Sequence, residues 1–120
     1  LSVWHDVLVL PLIGTLDSRR MQNCMEKTLL EVGRSSARVV ILDITGVPVI
    51  DTMVANSLIG LASSIRLMGG RSIITGISPA TAMTIVGLGI DLSMLDTRGT
   101  LQEGLKLAIQ STERSQGTRR

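Results

Sequence analysis

The chain has 120 residues, 44% of them hydrophobic but only 1% aromatic, and a formal net charge of +2. That is the length of one domain with an aliphatic core, and it lacks the exposed rings that stack nucleic-acid bases. No apolar run approaches the roughly 20 residues needed to cross a membrane, and no signal-peptide pattern is present.

The chain opens on Leu1 rather than Met and moves into a strand almost at once, so it is expected to be a domain cut from a longer protein. His5-Asp6 reads as a turn before a strand over Val7–Ile13. Pro11 has no N–H to give to a ladder, which predicts an edge or a bulge at that point. Asp17-Ser18 is a good N-cap pair for a helix over residues 19–32. Met21, Met25, Leu29 and Val32 share one face of it, and Gly33 is its expected stop. Arg19-Arg20 at its start reads as a solvated face. Cys24, the single cysteine, excludes an internal disulfide and reads as a small buried hydrophobe; it fits a reducing cytoplasm.

Residues 39–44 (VVILDI) form a near-continuous aliphatic run, as in a strand covered on both faces. The turn Thr45-Gly46-Val47-Pro48 follows. A second helix is predicted over residues 52–68, with Val54, Leu58, Leu61, Ala62 and Ile65 inward and Gly69-Gly70 at its end. Residues 72–75 (SIIT) read as a third central strand. Ser78 caps the next helix, Pro79 takes its first position, and the helix closes at Gly89. Met94-Leu95 is a short strand candidate. Thr100-Leu-Gln-Glu103 is a capping box; it opens a last helix with Leu101, Leu105, Ala108 and Ile109 on one face. Residues 113–120 hold Arg114, Arg119 and Arg120 and read as a polar, disordered tail. Without the tail, the domain (1–112) is near neutral and shows no basic stripe of a nucleic-acid binder.

This alternation predicts an α/β fold, with a mainly parallel sheet of about four to five strands and about four helices. Sites in such sheets lie beyond the carboxyl ends of the strands, here the loops at 45–52 and 75–79. The chemistry of catalysis is missing. His5, the only histidine, has no neighbour to orient it as a base. Zinc ligands are absent, as are the glycine loops that hold nucleotide phosphates. Neither an enzyme nor a metal or cofactor is expected.

Asp43 and Asp51 are the carboxylates placed to converge, and they read as a turn brace and a helix cap. With Asp51 as the cap, Thr52 is not needed for that job. Spacing leaves two readings of Thr52, an ordinary first-turn threonine or a phospho-acceptor. A phosphate there would add about −1.5 to −2 charges, meeting free N–H groups and the positive end of the helix dipole, while Asp51 repels it.

The segment DITGVPVIDTMVANSLI (residues 43–59) resembles the central motif of STAS domains, the family of sulfate transporters and anti-sigma factor antagonists. It is most similar to the RsbR-type co-antagonists of the bacterial stressosome. LVLPLIGTLDSRR (8–20), TGISPATAMTIVGLGIDL (75–92) and TRGTLQEGLKLAI (97–109) resemble other parts of the same family, so the resemblance spans about residues 3–109. It implies a cytoplasmic, non-enzymatic domain whose N-terminal sensor domain is absent from this chain. Such proteins assemble with a single-domain STAS partner (RsbS-like) into a large scaffold that holds a serine/threonine kinase (RsbT-like). Phosphorylation of the STAS domains releases the kinase, and a phosphatase resets them.

The resemblance therefore implies a large hetero-oligomer; Trp4, the apolar strand ends and the Met-rich helices are expected to support a homodimer, and composition predicts no nucleic-acid or membrane partner. The resemblance places phospho-acceptors at Thr52 and, in the helix after the third strand, at Thr84, with Thr81 and Thr75 as weaker matches. Asp43, Asp51, Pro48 and Ser78 fall at kinase-docking or phosphate-adjacent positions. Thr rather than Ser at position 52 fits the RsbR type. Relatives often carry Arg where this chain has Ser78, which cannot pair with a phosphate as Arg does. The alternative within the family is a stand-alone antagonist that binds an anti-sigma factor kinase.

Overall fold

The computed structural model describes residues 2–4, 6–89 and 95–117. Strands β1 (Ser2–Trp4), β2 (Val7–Ile13), β3 (Val39–Gly46), β4 (Arg71–Thr75) and β5 (Asp96–Arg98) form a five-stranded sheet in sequence order. Helices α1 (Ser18–Ser35), α2 (Thr52–Leu67), α3 (Pro79–Gly87) and α4 (Leu101–Gly117) connect and cover them. β2 to β5 run parallel, and β1 pairs antiparallel with β2. This is the expected α/β architecture with a mainly parallel sheet.

β3 is the middle strand, and its aliphatic run is covered on both faces as expected. Val40, Leu42 and Ile44 join Val54, Leu58, Leu61 and Ile65 of α2 in the larger core. Val39 and Ile41 point the other way, with Val7, Ile73 and Ala108 of α4. All five inward positions predicted for α2 are buried, none more than 5% exposed. On the opposite face α4 lies very close to the sheet. A Cβ on Gly104 would fall on Cγ2 of Thr75, so only glycine allows this approach.

The chain departs from its sequence reading in a few places, each with a local cause. β1 was too short to announce itself; it folds back on β2 through Asp6, at φ 63°. His5 and Met94 lie outside the described residues, and the short strand expected at Met94-Leu95 is found at Asp96–Arg98. α1 runs through Gly33 and ends on Ser36, at φ 56°, whose N–H donates to the Val32 carbonyl. Gly33 costs a helix about 1 kcal/mol, yet it stays within α1, with the methyl end of Met68 beside it. α4 extends to Gly117, into the segment read as a disordered tail, and no glycine or proline interrupts it between Gly104 and that residue. Pro11 behaves as expected, since the β2–β3 register shifts between Pro11 and Ile13.

Two arginines act as fasteners. Arg20 is exposed, yet it is more than the solvated face expected of it. Its Nη1 donates to the Thr15 carbonyl at 2.6 Å and its Nη2 to the Ile13 carbonyl at 2.9 Å, holding the β2–α1 loop. Arg71 donates from Nε to Asp96 at 2.6 Å and from Nη1 to Ser111 at 2.5 Å, tying β4 to β5 and α4.

Candidate functional site

The carboxyl ends of β3 and β4 carry the features singled out in sequence. Asp51 sits in extended backbone at φ −105° before α2, and its Oδ1 accepts the Val54 N–H at 2.8 Å. It is the N-cap, as its position predicted. Thr52 is then the first residue of α2, exposed, with its hydroxyl unengaged among the described residues.

Asp43 is the brace. Its Oδ1 accepts the hydroxyls of Thr45 and Thr75, each at 2.8 Å. Thr75 is its direct partner across the β3–β4 ladder. The link draws the two site loops together, and Gly76 completes it. At φ 83°, Gly76 lies against Thr45 so closely that any Cβ would overlap the Thr45 backbone. Thr75 and Gly76 were not singled out as bracing residues in sequence. A glycine directly between a strand and a helix cap was the available signal for Gly76; for Thr75 there was none.

Between these loops lies a cleft of about 730 Å³. Thr45, Pro48 and Val49 line one side; Ser78, Thr81 and Thr84 line the other; Thr100 and Leu101 at the head of α4 close it. The cleft therefore brings Pro48, Ser78 and Thr84 together. Asp43 joins it through Thr45, while Asp51 and Thr52 stand outside its lining, just past Ile50.

The three threonines considered for a second acceptor differ in environment. Thr84 is exposed on α3, with its hydroxyl donating to the Ala80 carbonyl at 3.0 Å. Thr81 is half-buried and accepts from the Ser78 hydroxyl at 3.0 Å. Thr75 is fully buried, with its hydroxyl committed to Asp43. Ser78 caps α3, its Oγ accepting the Thr81 N–H at 3.1 Å, with Pro79 next in the helix.

Cys24 packs against the larger core, and burial pushes its thiol pKa up against the opposing pull of Arg20 and Lys27. Among the described residues no three His, Cys, Asp or Glu side chains converge as a metal set would. No helix there is long and apolar enough to cross a membrane.

The site thus joins a parallel sheet with one antiparallel edge, a capped helix after the central strand and an exposed threonine on its first turn. The model of the STAS domain matches residues 2–104, and the chain belongs to that family. Among curated proteins it is 45% identical over 114 residues to the RsbT co-antagonist protein RsbRA of Bacillus subtilis (strain 168). That match covers 95% of this chain and 42% of the relative. It is also 32% identical over 102 residues to a blue-light photoreceptor of Listeria monocytogenes, covering 85% of this chain and 40% of that protein. The chain thus spans less than half the length of these relatives. Among solved structures, a variant of Moorella thermoacetica RsbS superposes with a TM-score of 0.78 at 29% identity, over 90% of this chain and 92% of that one. A chain from the molecular architecture of the stressosome, described as a signal integration and transduction hub, superposes at 0.74 and 27% identity, over 90% and 93%.

Proposed function

We propose that this domain is a non-enzymatic, phosphorylatable scaffold of a bacterial stressosome. It binds and sequesters a serine/threonine kinase and releases it when threonine is phosphorylated. One observation carries this reading: Asp51 alone caps α2, so the exposed Thr52 hydroxyl has no structural duty. The similarity to an RsbT co-antagonist supports it. Phosphate on Thr52 would meet the remaining first-turn N–H groups and the helix dipole. Its roughly −1.5 to −2 charges would leave the helix intact and change the potential of the surface beside the cleft. Thr84 is the second acceptor in this reading. Its exposure favours it over the buried Thr75.

Pro48 and Ser78 on the cleft, with Asp43 and Asp51 beside it, form the kinase-docking and phosphate-adjacent ground. The partners are a kinase of the RsbT kind, a single-domain STAS protein of the RsbS kind and a resetting phosphatase, all in the cytoplasm. The domain dimerises within the larger assembly. No cofactor enters this function.

The test is site mapping by mass spectrometry after incubation with the cognate kinase and ATP. Phosphate on Thr52 is expected, and Thr52→Ala should keep assembly while impairing kinase release. Modification confined to other residues would overturn the assignment.

A further inference from the structure

α3 buries only one of its nine residues, Ile85. Pro79, Met83 and Val86 follow one another at spacings of four and three, so they share one face of the helix, turned from Ile85. All three are exposed, Met83 at 77% and Val86 at 78%. Exposed apolar side chains that share a face can mark an interaction surface.

Two features of this face select its partner. The first is charge. Residues 72–90 hold no ionisable group, so α3 and the segments on either side of it are charge-free. The centres of protein interfaces are depleted of charge in the same way. A partner that brought charged side chains onto this face would leave them buried and unpaired, whereas a second copy of α3 brings none. The second feature is shape. Ala80 and Gly87 lie three residues before Met83 and four after it, so small residues flank the large one on the helix surface. Beyond its chain neighbours and the helix backbone, a Cβ on Gly87 would meet nothing within 4 Å, so the hollow there is open. Across a two-fold axis residue i meets j and j meets i. Two α3 helices related in that way can each seat Met83 in the hollow of the other. The unbranched methionine side chain adapts readily to such a hollow.

We propose that the outer face of α3 packs against the same face of a second copy of this chain, with Met83 of each seated over Gly87 of the other. This rests on the part of the proposed function in which the domain dimerises, and it names the surface. A nine-residue helix is about 14 Å long, so the contact falls below the roughly 1,600 Å² of a standard interface. The dimer is therefore weak and reversible, and it is strengthened where copies are already held side by side.

The test is sedimentation of the whole chain at rising concentration up to the millimolar range, together with crosslinking by a short bismaleimide in a Cys24→Ala background. Concentration-dependent dimerisation is expected. Met83→Cys should crosslink to its own copy, whereas Leu67→Cys, at an apolar position that is 90% exposed, should not. Met83→Glu should weaken self-association at least tenfold and Gly87→Gln at least threefold, both with melting temperatures no lower than the parent's. A monomer at every concentration, crosslinking as strong at Leu67→Cys as at Met83→Cys, or unchanged self-association in Met83→Glu overturns the proposal. So does crosslinking of Met83→Cys to an added single-domain STAS protein in preference to its own copy, which would give the face to that partner. Dimers that persist in Met83→Glu overturn this surface and leave dimerisation itself standing. No kinase enters the experiment, so its outcome is separate from that of the Thr52 reading.

Discussion

A single carboxylate divides the labour at the start of α2. Because Asp51 accepts the Val54 N–H, it carries the capping energy, and Thr52 is free for other chemistry. Asp51→Ala should therefore cost about 1 kcal/mol of stability, read as a lower midpoint in denaturant, whereas Thr52→Ala should leave that midpoint within about 0.5 kcal/mol of the parent. Cys24 offers a second residue-scale check. Its thiol is held above the usual value of 9.0, chiefly by burial, so alkylation of the folded chain should set in at higher pH than for a free cysteine. The sign for stability follows. The unfolded thiol ionises first, so Cys24 leaves stability unchanged below pH 9.0 and lowers it above. At this scale the sequence was readable wherever a side chain acts on its own neighbours, as Asp51 and Ser78 do. Asp43 was legible as a brace, but its partner Thr75 lies 32 residues away, beyond any local pattern.

Elements were legible when burial repeats with a regular period. α2 declared its inner face because that face packs on the sheet throughout, and β3 declared itself as a continuous apolar run. The misjudged limits were those decided by tertiary contact. Gly33 lies inside α1 with the end of Met68 beside it, and the three-residue β1 is paired along its length with β2. The seat of α4 is the sharpest case. Nothing in its sequence marks Gly104 as the contact point, yet that glycine meets the methyl of Thr75, the residue that braces Asp43. Gly104→Ala should destabilise the chain by about 1–3 kcal/mol through overpacking, despite the higher helix propensity of alanine. Thermal melting gives the sign. A rise in midpoint would show that α4 has room to withdraw from β4.

For the whole molecule, the issue is what a domain of this shape leaves uncovered. α3 buries only Ile85 among its own residues, and Met83 and Val86 stand 77% and 78% exposed beside the acceptor helix turn that carries Thr84. Val49, on the other wall of the cleft, is 67% exposed. Exposed apolar surface can mark an interaction surface, and here Met83 and Val86 flank Thr84 on α3 while Val49 stands across the cleft from it. A phosphate placed among these side chains would oppose any partner that buries them, since burying an unpaired charge is costly. That gives release on phosphorylation a physical basis without any change of fold. It also separates the two assemblies open to the family. A scaffold must engage several neighbours at once, whereas an antagonist needs one kinase. Mixed with a single-domain STAS protein of the RsbS kind, the chain should elute from size exclusion as an assembly in the megadalton range. Elution as a small heterodimer, with the kinase displacing the STAS partner, would instead make it a stand-alone antagonist. In either case, Met83→Glu together with Val86→Glu should weaken partner binding at least tenfold while leaving the melting temperature of the isolated domain unchanged, because neither side chain contributes to the core.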